Sequence, residues 1–537
     1  MADTATAPLL TSHKSTKPAK APSIDDMIET YMGATGSVQL LKAILVGFAW
    51  AFDAQQVFIS VFTDAEPGWH LVSPKGNFSS SPAATSPCEL PPGAWAWERP
   101  AKTSTVSEWA LNCGGPAFVS LPASSFFAGC LVGGFLLTTL ADSVLGRKKM
   151  LLVSLVSMSV TGVLTAFAPN VWVYAVLRFM AGFARSMIGT CTLVLSTEIV
   201  GKKWRNVVSL AAFFCYTFGF LSLPVLGYTF RQASWRNMYI WTSVPCLFYT
   251  MLLYFLVQES PRWLLVRGRK KEAIDTLQQI ASLNGGKSTE TSFSLPEMFT
   301  LPEDAGTSSS DIFATLQTMW ERRWALQRLA AIMTAGYGVG MVYFGMPLNV
   351  GSLGSNLYLS VAYNALAELP SNILLMFLMA RINRRSSVVA FSVAASACSL
   401  ACVAIPQSAA AARMAAELVS FVATCTAYNI ILMYSIELFP TSVRSSAVGL
   451  LRQAMVLGGV AAPVLVALGR ERSFWSFGVF GLVIGSSGLF AACLPETRGR
   501  TMSDTMEEEE ERHEAAIVSC TGALSAVVSK NSDYNLV

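Results

Sequence analysis

Twelve apolar stretches, each near the roughly 20 residues a helix needs to cross a bilayer, constrain this chain more than any other feature. They run Leu40–Phe62, Phe118–Ala141, Met150–Phe167, Val171–Ile199, Val207–Phe230 and Met238–Val257, then Leu326–Val350, Leu357–Met379, Ser387–Ile405, Ala411–Ile436, Ser446–Leu468 and Ser473–Leu494. In hydrocarbon every backbone N–H and C=O must be satisfied within the protein, so runs of this length are read as α-helices, and the Gly and Pro inside them are tolerated. The expectation is an all-α membrane protein with twelve transmembrane helices; the count excludes a seven-helix receptor. Composition agrees. Of 537 residues 53% are hydrophobic and 13% charged, about half the ~25% of a soluble domain. The net charge of +4 is too small and too dispersed for a nucleic-acid partner.

The basic residues set the orientation. Arg147, Lys148 and Lys149 follow span two, Lys202, Lys203 and Arg205 span four, and Arg262, Arg267, Arg269, Lys270 and Lys271 span six; Arg381, Arg384 and Arg385 follow span eight, and Arg498 and Arg500 span twelve. Both termini are therefore expected in the cytosol. No secretory signal opens the chain, and its first forty residues are polar. The segments read as a disordered N-tail (1–39), a first six-helix bundle (40–258) with an external loop (63–117), a cytosolic linker (259–325), a second bundle (326–494) and a C-tail (495–537). The external loop holds Cys88, Cys113 and the sequon Asn77-Phe78-Ser79, so a disulfide and a glycan at Asn77 are expected; the alternative is two unpaired thiols. No cysteine has zinc-ligand spacing, and no metal or cofactor is expected. The linker middle, Lys287 to Ser310, reads as mobile, and the acidic run Glu507–Glu511 as a solvated tail without a function.

The two halves carry the same charged signatures. Gly146-Arg147-Lys148 after span two matches Asn383-Arg384-Arg385 after span eight, 237 residues on. Glu198, with Arg205 seven later, matches Glu437 and Arg444, 239 on. Glu259-Ser260-Pro261-Arg262 matches Glu496-Thr497-Arg498, 237 on. Three matches in one order at nearly one offset make the chain a duplicated unit: two six-helix bundles related by a parallel internal repeat.

These signatures resemble the major facilitator superfamily, whose members carry such repeats. Asp142-Ser143-Val144-Leu145-Gly146-Arg147-Lys148 is similar to that family's Asp-Arg-x-Gly-Arg-Lys loop, with Ser143 for its Arg and one residue more. Trp95-Ala96-Trp97-Glu98, Ser107-Glu108-Trp109, Glu259-Ser260-Pro261-Arg262-Trp263-Leu264 and Tyr363-Asn364-Ala365-Leu366-Ala367-Glu368-Leu369-Pro370 resemble its organic-ion branch. Ala49-Trp50-Ala51-Phe52-Asp53-Ala54-Gln55-Gln56 and Leu140-Ala141-Asp142-Ser143 resemble the plant organic cation/carnitine transporters. The resemblance departs at Val456, where animal cation relatives place an Asp and anion relatives an Arg.

A charge in the bilayer core costs at least a few kcal/mol, so each is a functional candidate. Asp53 lies in span one, Arg178 and Arg185 in span four, Glu368 in span eight, Glu417 in span ten and Arg452 in span eleven; the competing reading of each is a structural ion pair. Asp53 and Arg178 resemble the proton-coupling pair of the superfamily's sugar porters. A carboxylate beside a cation stays ionised, and one separated from it and desolvated takes a proton. Glu368 has no Arg in its own span and is the candidate for attracting a cationic substrate. Aromatic faces suit quaternary ammonium groups, which singles out Trp50, Tyr216, Tyr337 and Tyr343, although spans are aromatic-rich in any case. Asp142, Arg147, Lys148, Glu198, Arg205, Glu259, Arg384, Arg385, Glu437, Arg444 and Glu496 sit at the cytosolic ends of spans. They read either as topology signals or as ion pairs between bundles that close the inward gate.

The functional expectation is a secondary active transporter of organic cations or zwitterions (carnitine, choline or polyamine-like). It would be coupled to protons or the membrane potential by alternating access, act as a monomer, and sit in the vacuolar or plasma membrane. A proton-coupled sugar or organic-anion porter is the alternative within transporters, and a non-transporting sensor or scaffold the alternative outside them. An enzyme is not expected. There is no phosphate-cradling loop, and His13, His70 and His513 all lie outside the spans.

Overall fold

The computed structural model describes residues 35–72, 87–91, 93–140, 145–283, 317, 319–353, 356–378, 381–406, 408–469, 474–499, 503 and 505–515. Its membrane-length helices are α1 Ser37–Thr63, α2 Pro116–Leu140, α3 Arg147–Thr165, α4 Val171–Glu198, α5 Arg205–Thr229, α6 Arg236–Leu256, α7 Arg323–Asn349, α8 Leu357–Leu378, α9 Arg384–Ala404, α10 Ala410–Leu438, α11 Arg444–Leu468 and α12 Phe474–Leu489. Eleven helices pass as long and apolar enough to cross a membrane. The remaining one, α8, has 22 residues and carries Glu368 near its middle. α1 is interrupted at Phe48 and Ile59, and α4 at Ser186 and Met187. α1 and α7 each begin three residues before the apolar runs that announced them, at Ser37 and Arg323.

Close backbone approach holds the helices. A Cβ on Gly129 would run into Phe179 O, and one on Gly182 into Phe126 O, so α2 and α4 meet backbone to backbone. Gly340 and Gly458 do the same for α7 and α11, against Met455 O and Tyr337 O. Without a hydrophobic drive between helices in lipid, this small-residue packing is what association rests on. Across the halves α2 packs on α11 and α5 on α8.

The repeat is visible in atomic detail on the face that carries the linker. The Glu259 carboxylate accepts a bond from Lys148 N (2.9 Å) at the start of α3. Glu496 accepts from Arg384 N (2.8 Å) and Arg385 N (3.2 Å) at the start of α9. Ser260 Oγ donates to Glu198, and Thr497 Oγ1 to Glu437 (2.6 Å). In each half a carboxylate covers N–H groups that a helix start leaves unpaired, where the helix dipole also favours an anion.

The opposite face carries a small addition to the all-α plan, an antiparallel ribbon of β1 Trp69–Leu71 and β2 Trp95–Trp97. Cys88 is bonded to Cys113 in the same loop. Glu108 ties the loop down: it pairs with Arg236 (2.6 Å) at the start of α6 and accepts from Trp235 Nε1 (2.6 Å). Asn77 and Asp142, the linker middle at Lys287–Ser310 and most of the tail 1–39 lie outside the described residues.

The acidic run corrects an expectation. Residues 506–515 form a helix that docks beneath α7 rather than standing in solvent. Arg322 pairs with Glu507 (2.5 Å) and Glu510 (2.7 Å), and Arg328 with Glu509 (2.7 Å). Two arginines at the mouth of α7 supply countercharge that no pattern within the tail itself announces.

Candidate substrate and coupling site

α1 and α4 run antiparallel, and their register decides which charges meet. Arg185 grips Asp53 with two bonds, Nε to Oδ1 at 2.6 Å and Nη2 to Oδ2 at 2.7 Å. Seven residues forward along α1 and seven back along α4, Arg178 donates to Ser60 Oγ (3.1 Å) and to Gln56 O (3.2 Å). A turn further, Tyr174 Oη donates to Asp64 (2.9 Å). The expected Asp53–Arg178 pair is therefore corrected to Asp53–Arg185. A slip of seven residues is about 10 Å along a helix, beyond the reach of one ion pair. Asp53 is 3% and Arg178 1% exposed, while the Arg185 side chain is 16% exposed. The Arg178 guanidinium lies 4.1 Å from the centre of the Phe126 ring, which also faces Arg185 at 5.9 Å. Both guanidiniums thus lie near one aromatic ring.

Glu368 lies on the other side, 4% exposed, at the seam between the halves. Its carboxylate accepts from Tyr343 Oη of α7 (2.8 Å) and from Thr217 Oγ1 of α5 (3.2 Å). Among the described residues no basic side chain pairs with it. Aromatic rings connect it to the first half: Tyr343 stacks on Tyr428 (4.6 Å) and Phe421 (6.0 Å), Phe58 meets Tyr343 (6.3 Å) and Tyr216 (6.4 Å), and Tyr216 meets Trp50 (6.2 Å). Trp50 Nε1 donates to Gly189 O (3.2 Å), which fixes the indole. Tyr428 is within electrostatic reach of Arg452, Arg185, Asp53 and Glu368 together. Asp53, Glu368, Trp50, Tyr216 and Tyr343 therefore come together. Tyr337, nearly two helical turns from Tyr343, has no ring contact with the cluster among the described residues. Sequence reading missed Tyr428, Phe421 and Thr217, because an aromatic or a Thr inside an apolar run carries no signal of which way it faces. Arg452 of α11 donates to Thr190 Oγ1 of α4 (2.7 Å), a second polar link across the halves and one turn from Val456.

The gate between bundles is expected of the outward-open state, and this conformation shows instead what its carboxylates do within each half. Glu198, Glu259, Glu437 and Glu496 find the partners described above inside their own half, and Arg384 pairs with Glu437 at 3.2 Å. Arg444 Nε donates to Phe439 O (3.3 Å), again locally. These groups finish helix ends, which is a job each half has to do for itself. On the ribbon face the halves do meet. Tyr358 of α8 stacks on Phe62 (5.7 Å), meets Tyr228 edge-on (5.7 Å) and accepts from Arg99 Nη1 (2.8 Å); deeper in, Phe127 meets Phe344 at 4.7 Å.

Comparison with known proteins fits this geometry. The family model for sugar (and other) transporters matches residues 108–508. The fold is similar to that of the E. coli xylose transporter XylE in a partially occluded inward-open conformation, with a TM-score of 0.60 at 16% identity over 88% of this chain and 100% of that one. Two parallel six-helix repeats around a buried polar seam define a membrane transporter of the major facilitator superfamily. The chain is 49% identical to organic cation/carnitine transporter 2 of Arabidopsis thaliana, over 94% of this chain and 96% of that one. It is 48% identical to transporter 3 of the same plant, over 95% and 98%. It belongs to the organic cation/carnitine transporter family, a family of transporters and not of enzymes.

Proposed function

We propose that this transporter carries organic cations or zwitterions such as carnitine, choline or polyamines by alternating access, with the linker face and both termini in the cytosol. The single observation behind the substrate class is Glu368. It is a buried carboxylate at the seam, without a basic partner, beside stacked tyrosines whose faces suit an ammonium group. The names of the plant relatives point the same way. Arg452 at the same seam favours a zwitterion over a simple cation, because it offers a guanidinium for a carboxylate opposite Glu368. It also keeps the organic-anion reading alive as the second choice. Asp53 is the proposed proton carrier. Its ion pair with Arg185 is a contact that alternating access can make and break, which is what a coupling carboxylate needs. The aromatic closure at Tyr358 makes this the state shut towards the ribbon face. Function as a monomer, a glycan at Asn77, and residence in the vacuolar or plasma membrane complete the proposal.

The test is binding of choline, carnitine and glucose to wild type and Glu368→Gln in vesicles. Losing the carboxylate's Coulombic attraction for the quaternary ammonium should weaken choline by about 1–4 kcal/mol, roughly 5- to 900-fold, and leave any glucose binding unchanged. Equal loss for both ligands makes Glu368 structural.

A further inference from the structure

Glu417 of α10 plays no part in that mechanism. It is fully buried, at 0% exposure, and neither carboxylate oxygen has a hydrogen-bond partner. The side chain of Asn364, from α8 and equally buried, lies against it. Asn364 Nδ2 is spent on Ser360 O (3.3 Å), and its Oδ1 has no partner. Both Glu417 carboxylate oxygens and Asn364 Oδ1 are thus buried without a partner, and the one donor beside them, Asn364 Nδ2, already serves Ser360 O. An ionised carboxylate there, with no ion-pair partner and at most one shared amide donor, costs several kcal/mol. A single proton answers the whole arrangement: Glu417 O–H donates to Asn364 Oδ1, and the buried charge is gone.

We propose that Glu417 and Asn364 form a proton-binding site in the second half of the molecule, separate from Asp53. A metal cation fits less well, since a hard cation takes about six or more oxygens and three are present. The charged and titratable groups facing the site are few. Arg413 lies one turn earlier on α10 and is buried, with its Nε unpartnered. Cys398 and Cys402 come from α9, Cys425 lies further along α10, and Glu368 lies beyond Cys425. Arg413 is the group that can empty the site. If rearrangement brings its guanidinium onto Glu417, the O–H bond breaks, the proton passes to water, and a carboxylate paired with Arg413 remains. The repeat sharpens this. Glu417 stands 239 residues after Arg178, the offset that relates Glu198 to Glu437, so one half puts a permanent cation where the other puts a group able to gain and lose a proton.

Protonation at this site does not depend on the substrate reading, and infrared spectroscopy tests it without transport. Wild type in lipid vesicles at neutral pH should show the C=O stretch of a protonated carboxyl that Glu417→Gln lacks. The Gln amide can still donate to Asn364, so that variant should fold. Asn364→Leu keeps the carboxyl but removes its acceptor, and should shift the same band to higher frequency. Superimposable carboxyl spectra for wild type and Glu417→Gln overturn the proposal. So does a band that disappears when sodium is added at constant pH, which would make the site a metal site.

Discussion

The two halves share a frame and differ in their charges. At the linker face Glu259 and Glu496 each cover the start of a helix, and Glu198 and Glu437 each accept from a hydroxyl, of Ser260 in one half and Thr497 in the other. Mid-membrane the charged groups of the two halves differ. The first half holds Asp53 clamped by Arg185, with Arg178 shielded by Phe126. The second holds two acids, Glu368 and Glu417, and neither has an ion-pair partner among the described residues. What is duplicated serves folding, because both halves face the same problem of unpaired helix ends. On the proposed reading, what is not duplicated serves transport, because a path between the halves needs binding on one side and a switchable charge on the other.

The largest expected effect tests the unrepeated pair. Arg185→Ala leaves Asp53 buried without its countercharge and should cost about 3–5 kcal/mol of stability. Combining it with Asp53→Asn should restore much of that. A double-mutant cycle for Asp53 with Arg178 should give a coupling under about 0.5 kcal/mol, and a large value there would break the register assigned to α1 and α4. The external loop comes next. Cys88→Ser and Cys113→Ser should each cost about 2–4 kcal/mol, and the double variant should be no worse than either; mass spectrometry showing two free thiols in folded protein contradicts this.

The shared frame should respond symmetrically and less strongly. Glu259→Gln and Glu496→Gln should each lower stability by about 1–2 kcal/mol, by similar amounts, in thermal unfolding of the purified protein. A marked difference would show that one copy has taken on a gating role. The smallest effect belongs to the acidic tail. Its pairs with Arg322 are partly exposed, the Glu507 side chain most of all at 69%, so molar salt or Arg322→Ala should speed proteolysis of the C-terminus while leaving uptake unchanged. The Glu507 carboxyl is held below the ordinary glutamate range, first by its own backbone N–H and then by Arg322. Docking should therefore be complete above that range and lost as the pH falls through and below it. Proteolysis that ignores both salt and acid would contradict the docking.

Helices, repeat and branch were legible because length in lipid and charge at helix ends are local properties. The Cys88–Cys113 contact was legible because few cysteines share that loop. Partners across the seam were not. Whether Asp53 meets Arg178 or Arg185 depends on how far α1 slides along α4, which no spacing within either helix encodes. The docking of Glu507–Glu510 depends on Arg322 and Arg328, some 180 residues away in sequence. Phe421 and Tyr428 looked like any aromatic in an apolar run until α10 was placed against α7.

The division of labour between Glu368 and Asp53 is the central claim, and one paired vesicle assay tests it most directly. Substrate exchange between equal pools and accumulation driven by an imposed pH gradient are measured side by side in both variants. Asp53→Asn mimics a permanently protonated carboxyl, so it should keep exchange and lose gradient-driven accumulation. Glu368→Gln should weaken both through poorer cation binding, and both should recover at higher substrate concentration. Full gradient-driven accumulation in Asp53→Asn would contradict the account and leave the protein a facilitator driven by membrane potential.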